Sequence, residues 1–182
     1  YKENGQFHNF YKKYDLIGNI TYESGYHKGE KHGNEIEYHI HTNKRWKIQQ
    51  FKYGSKHGYY KELSLEENDN GDQIELKHQE WVNGYMHGIE RETFLATQSK
   101  KRYCEYNRGL KHGSEKIWTI TGKLIFLKKY DQGRSVGRCI VRFPDNGCLE
   151  RKCYYNKYGQ LDGLYMEWHY LCRSLTKGND NK

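Results

Sequence analysis

Tyr106-Asn107-Arg108-Gly109-Leu110-Lys111-His112-Gly113 is the stretch on which the reading of this chain turns. An aromatic residue, two polar residues, a glycine, three residues and a second glycine recur along the sequence. Gly29-Glu30-Lys31-His32-Gly33, Gly54-Ser55-Lys56-His57-Gly58 and Gly84-Tyr85-Met86-His87-Gly88 are close copies, and residues 133–137, 159–163 and 5–9 are weaker ones. The first glycines stand at 5, 29, 54, 84, 109, 133 and 159, in steps of 24, 25, 30, 25, 24 and 26 residues. A fixed period of this size is the signature of a repeat architecture.

The segments between the glycines alternate polar and apolar, as in Asn34-Glu35-Ile36-Glu37-Tyr38 and around Leu124, Phe126 and Tyr130. Period two over such lengths predicts half-buried strands. Gly18-Asn19, Thr42-Asn43, Asn70-Gly71, Thr121-Gly122 and Asn146-Gly147 fall near the middle of their units and suit tight reversals. Each unit therefore reads as a hairpin. The third unit is longer, and 66–72 reads as an acidic loop holding the excess.

One aromatic position is the most regular feature: Tyr26, Phe51, Trp81, Tyr106 and Tyr130 precede the first glycine by three residues. Tyr155 lies one residue further out, which suggests a bulge. A lone hairpin is marginal in water. Neighbouring units are expected to share strand hydrogen bonds and to stack ring on ring, so that stability is a nearest-neighbour property. Tyr26, Phe51, Trp81, Tyr106, Tyr130 and Tyr155 are the expected staples. Gly29, Gly33, Gly54, Gly58, Gly84, Gly88, Gly109 and Gly113 let the chain reverse and let a neighbouring ring approach bare backbone.

Composition points the same way. Only 35% of the 182 residues are hydrophobic, 18 residues are tyrosine, and proline occurs once. Large amphipathic rings bury one side and keep a hydroxyl wet, which suits a single layer better than a thick aliphatic core. The expectation is an all-β, elongated, open antiparallel sheet of about seven hairpins over 1–176, with units beginning near 1, 26, 51, 81, 106, 130 and 155. A disordered tail is expected at 177–182. No apolar run approaches the roughly 18 residues that span a bilayer. The chain opens at Tyr1 rather than Met, so a longer protein can precede it. Usage rich in Lys, Asn and Tyr fits an AT-rich genome, as in giant viruses, protists and some bacteria.

The quoted motifs resemble the MORN repeat, in its bacterial and viral variant. Trp81-Val82-Asn83-Gly84-Tyr85-Met86-His87-Gly88 and residues 106–113 match it closely, and the resemblance runs from about Tyr1 to about Trp168. It departs at Asn9, which replaces the second glycine, at Val136 and Asp162, which replace the histidine, and at the insert near Asn70. The resemblance implies successive hairpins in a twisted sheet and roles in protein–protein contact, scaffolding and membrane-lipid contact. Some bacterial relatives of that kind are antitoxins.

The sequence offers little reactive chemistry. His8, His32, His57, His87 and His112 are equivalent, but equivalent positions in adjacent hairpins lie about 10 Å apart, too far to share one ion with ligands at about 2.1 Å. Each is expected to pack against its turn. Residues 66–77 fail the calcium-loop pattern, since position one is Glu66 and position twelve Lys77. No metal, cofactor or catalytic constellation is assigned. The five cysteines, odd in number and without a Cys-x-x-Cys pair, fit a reduced, cytosol-like setting. Cys139 and Cys153 can face each other across one hairpin, with no disulfide expected there.

The formal charge is +8, but 31 basic and 23 acidic residues are mixed along the chain. Lys100-Lys101-Arg102 and Lys128-Lys129 between rings admit nucleic acid or acidic lipid; solvated strand edges are the favoured reading. The expected role is that of a non-catalytic interaction or scaffold module for a protein partner. Trp118, Trp168, Tyr38, Lys100, Lys101 and Arg102 are the candidate contacts. The alternatives are an antitoxin-like binder of one toxin, a lipid or nucleic-acid surface, and self-association through an open edge strand.

Overall fold

The structure, a computed structural model, describes residues 2–3 and 6–169. The tail expected at 177–182 and the first glycine of unit one lie outside these residues. A small ribbon of β1 (Lys2–Glu3) and β2 (Gln6–Phe7) leads into one 13-stranded open antiparallel sheet. Its strands are β3 (Asn9–Tyr14), β4 (Ile20–His27), β5 (Glu30–Tyr38), β6 (Arg45–Lys52), β7 (Ser55–Glu67), β8 (Gln73–Val82) and β9 (Tyr85–Thr93). They continue with β10 (Lys100–Asn107), β11 (Leu110–Trp118), β12 (Leu124–Asp131), β13 (Arg134–Arg142), β14 (Leu149–Tyr155) and β15 (Met166–Glu167). Their order in the sheet is their order in the chain. Among the described residues there is no helix.

Two kinds of reversal alternate, one at each end of the strands. At the first end, two-residue turns carry the motif glycines. Lys28-Gly29, Tyr53-Gly54, Asn83-Gly84, Arg108-Gly109 and Gln132-Gly133 all hold φ of 45–85° at both positions, the type I′ geometry that matches strand twist. Successive turns are knitted together: the amides of Gly54, Gly84, Gly109 and Gly133 donate to the carbonyls of Lys31, Lys56, Met86 and Lys111 at 2.8–2.9 Å. At the other end, longer loops span 15–19, 39–44, 68–72, 94–99, 119–123 and 143–148. Positive φ there falls on Gly18, Asn43, Gly71, Gln98, Gly122 and Gly147.

One expectation about an irregular unit changes and one is sharpened. The excess of unit three is not mainly loop: β7 runs to Glu67, and the loop is 68–72. Tyr155 is displaced by a longer turn that ends in a bulge. The Asn156 amide donates to the Gln160 carbonyl at 2.9 Å, so three residues reverse the chain where other units use two, and the third, Gly159 with φ of 83°, is the left-handed residue of a G1 bulge.

The second glycine of each motif creates a bulge not foreseen from the sequence. Ser24 pairs with Glu35 and Tyr26 with Lys31, so Gly25 alone opposes His32, Gly33 and Asn34. The same step recurs at Gln50 against 57–59, Glu80 against 87–89 and Glu105 against 112–114. Gly33, Gly58, Gly88 and Gly113 sit at its centre with φ of 85–97°. The Gln50 amide oxygen accepts from the Tyr59 N–H at 3.2 Å, and Glu80 accepts from the Ile89 N–H at 2.9 Å. Glu105 accepts from the Ser114 N–H. A Cβ on Gly58, Gly88 or Gly113 would overlap these capping side chains. A second bulge lies near each long loop, where Trp46, Leu76 and Lys101 are left without a register partner. Bulges sharpen local twist.

Candidate interaction surface

One face of the sheet is organised in rows that cross the strands. The central row runs Ser24, Glu35, Gln49, Tyr60, Gln79, Glu90, Cys104, Glu115, each the register partner of the next. Ser24, Gln49, Glu90, Cys104 and Glu115 are buried, and Cys104 is 0% exposed. The centre of this sheet is thus largely polar; its carboxylates are held by hydrogen bonds within and beside the row, while Ser24 Oγ and Gln49 Oε1 have no hydrogen-bond partner among the described residues. Gln79 Nε2 donates to Glu90 at 2.7 Å, and Tyr106 Oη donates to Glu90 at 3.1 Å. Glu115 accepts from Lys111 Nζ at 2.7 Å and Tyr130 Oη at 3.0 Å. Arg102 spans both carboxylates, through Nη1 to Glu90 and through Nη2 to Glu115 at 2.9 Å.

Burial pushes the Glu90 carboxyl up, but the Gln79 hydrogen bond and the Arg102 charge outweigh it and hold the group below its ordinary range. Glu115 is held down likewise, by Lys111, Arg102 and Tyr130 against burial. Burial pushes the Cys104 thiol up. Arg102, expected among the contact residues, is therefore turned into the sheet and held by two carboxylates. Sequence reasoning missed Glu35, Glu90 and Glu115. The signal was Lys31-His32-Gly33-Asn34-Glu35 beside Lys111-His112-Gly113-Ser114-Glu115, where lysine and glutamate bond across the bulge.

The motif rings form a second row. Tyr26, Phe51, Trp81, Tyr106, Tyr130 and Tyr155 are half-buried. Their register partners are Asn9, Gly33, Gly58, Gly88, Gly113 and Gly137. Asn9, with φ of 67°, adopts the left-handed backbone of the glycine it replaces. Rings of adjacent units are two strands apart, about 10 Å, beyond the 4.5–7 Å of a ring pair. Long cations fill the interval: Lys31 Nζ lies 5.0 Å from the Phe51 ring, Lys56 4.5 Å from Trp81, Lys111 5.1 Å from Tyr130 and Lys128 4.8 Å from Tyr155.

The histidines lie along the turns. His57 Nδ1 accepts from the Asn83 N–H and His112 Nδ1 from the Gln132 N–H, both long at 3.5 Å, and the His32 ring lies 4.9 Å from that of Tyr53. Among the described residues, no group of three or more His, Cys, Asp or Glu is placed to hold a metal ion.

The loop end presents a different chemistry. Eleven residues after each first glycine stand Leu16, Ile40, Leu65, Leu95, Ile120 and Pro144. All are exposed, the aliphatics from 37% at Leu65 to 106% at Leu16. At two of them the backbone is held from the preceding loop: Lys44 Nζ donates to the Leu65 carbonyl at 2.9 Å, and Ser99 Oγ to that of Ile120 at 3.5 Å. Between two of them, the bulged Trp46 and Leu76 join Leu63, Leu65 and Leu95 to line an apolar depression of about 320 Å³. Arg45, Lys100, Lys101 and Lys123 are exposed at this end, and Lys101 meets Glu92 at 3.2 Å. Trp118 and Tyr38 are half-buried, and the Tyr38 hydroxyl donates to Glu23 at 2.8 Å. Trp168 is exposed, and its amide donates to the Glu150 carbonyl at 2.8 Å. The aliphatic series went unread in the sequence although it keeps the glycine period. A single exposed leucine is ordinary; its recurrence in register is the signal.

No protein-family model matches the chain, and no curated protein matches it.

Proposed function

We propose that this chain is a non-catalytic protein-interaction module of MORN-like repeats, which binds a partner protein along its loop end. The observation behind this reading is the exposed aliphatic series Leu16, Ile40, Leu65, Leu95, Ile120 and Pro144, with the Trp46–Leu76 depression between two members. These residues stand outside the buried rows, five in the loops and Leu65 near the end of β7, and a repeated exposed apolar strip marks an interaction site. The strip steps by two strands, roughly 10 Å, so an elongated partner meets one apolar contact per unit. Arg45, Lys100, Lys101 and Lys123 alternate beside it with Glu66, Asp69, Asp72 and Asp145, so the rim of the strip is polar and of mixed charge. An antitoxin-like role is the same mode of binding with a toxin as the partner.

The test is capture from a lysate of the source organism with wild type and with the L95S/I120S double variant, followed by mass spectrometry. The reading requires a protein retained by wild type and reduced at least about tenfold by the variant, at unchanged circular dichroism. Equal capture by both would remove it. A lipid or nucleic-acid surface is distinguished by salt: binding to a polyanion falls steeply between 50 and 200 mM salt, whereas apolar docking does not.

A further inference from the structure

At the far end of the sheet the thiols of Cys139 and Cys153 are set against each other. The two residues are register partners on β13 and β14, both are buried, and both are free thiols. Directly paired residues of antiparallel strands have Cα atoms about 4.5–5.5 Å apart. A disulfide needs about 4.4–6.8 Å, so the Cα spacing of the pair already admits the bridge. The other described thiols lack this arrangement. Cys104 has Glu90 and Glu115 as its register partners, and Cys148 lies exposed in the 143–148 loop.

From this pairing we infer that Cys139 and Cys153 form a dithiol site that low-molecular-weight disulfides of the glutathione class oxidise to a cross-strand bridge. One cysteine thiolate attacks a sulfur of glutathione disulfide, forming a mixed disulfide and releasing one glutathione thiolate. The second cysteine thiolate then attacks the protein sulfur of that mixed disulfide and expels the second glutathione. The pair loses two electrons and two protons, and the reagent becomes two molecules of reduced glutathione.

Among the described residues the edge beyond β14 is incomplete, and access comes from there. β15 covers β14 at Arg151 and Lys152, and the chain returns at Tyr154 and Tyr155 through the Asp162 amide and the Leu161 bridge. Cys153 lies between these two patches, where local opening of an edge is least costly. Burial raises the Cys139 thiol above its ordinary range, with Lys128 and Arg151 opposing the shift; exchange therefore quickens with rising pH. Once formed, the bridge closes a loop of about 15 residues. Opening of the β13–β14 hairpin then becomes on the order of a hundredfold rarer.

The experiment uses the full chain carrying C148S, which removes the exposed thiol. It is equilibrated across ratios of reduced to oxidised glutathione, quenched in acid, alkylated and mapped by mass spectrometry. The expected product is a peptide pair linked through Cys139 and Cys153, two hydrogens lighter than the reduced pair. Phenylarsine oxide, which bridges adjacent thiols, should prevent its formation. Amide exchange on β14 should slow by about the factor given above, and C139S, treated in the same way, should show no slowing. Cysteines that stay fully alkylatable at every ratio, or that end as separate glutathione adducts, would overturn the site. A linked pair with unchanged β14 exchange would overturn its effect on the hairpin.

Discussion

At Gly58, Gly88 and Gly113 two demands coincide. The backbone is left-handed, with φ of 88–97°, and a capping side chain from the facing strand presses against the α-carbon. Gly33 meets only the first demand, since nothing lies within 4 Å of a Cβ built there. The two substitutions separate the effects. Gly33→Ala should cost about 1–2 kcal/mol, the penalty of an L-residue in the left-handed region. Gly88→Ala should cost roughly 2–4 kcal/mol, because it also displaces Glu80 and orphans the Ile89 N–H. Urea unfolding of the two variants measures the difference, and equal midpoints would show that the cap contributes nothing.

Within β9, β10 and β11 the controlling feature is the Glu90–Arg102–Glu115 bridge. Arg102→Met keeps the length of the chain and removes the charge. It should cost about 2–3 kcal/mol at pH 7, somewhat below the usual figure for a broken buried pair, because Gln79, Tyr106, Lys111 and Tyr130 remain. The pH dependence has a definite sign. Both carboxyls are held below the ordinary value of 4.5 in the folded state. Their contribution is therefore complete above that value and is lost as pH falls through the lowered ones. The gap between wild type and variant should stay level from pH 8 to 6 and shrink below about 4.5; a gap that widens in acid would contradict the bridge. At this scale the sequence was half legible. Alternation and turn residues marked the hairpins, because period two and left-handed residues are local properties. The bridge was not legible, since it links residues whose neighbourhood depends on register, and each register contains a bulge that local pattern does not announce. The rings were found for a sound reason, their period, but given the wrong neighbours: the spacing that forbids shared metal between histidines also separates ring from ring, and Lys31, Lys56 and Lys111 occupy the interval.

Over the whole molecule, the repeat makes position along the sheet nearly interchangeable, and that carries a test. Deleting residues 84–108 removes β9 and β10 and joins Asn83 to Gly109, which rebuilds a turn of the Asn83-Gly84 kind. The register then places Gln79, which now pairs with Glu90, opposite Glu115. Gln79 bonds Glu90 at 2.7 Å and would supply the same amide to Glu115, which keeps Lys111 and Tyr130. The ring row closes as well: the second glycine facing Tyr130 remains Gly113, and Trp81 keeps Gly58. What the shortened chain loses is two strands of thirteen and the Arg102 bridge. Stability in such arrays is a sum of unit and neighbour terms, and the urea m-value scales with surface exposed on unfolding. The deletion should therefore fold to a β-sheet with an m-value lower by about one-seventh and a lower midpoint. A comparison deletion of 84–96, half a unit, puts β10 in the place of β9 and carries every following motif turn to the loop end; the rings and Glu115 then leave their rows, and this chain should not fold. Two deletions that behave alike would mean that the sheet is not held by rows in register.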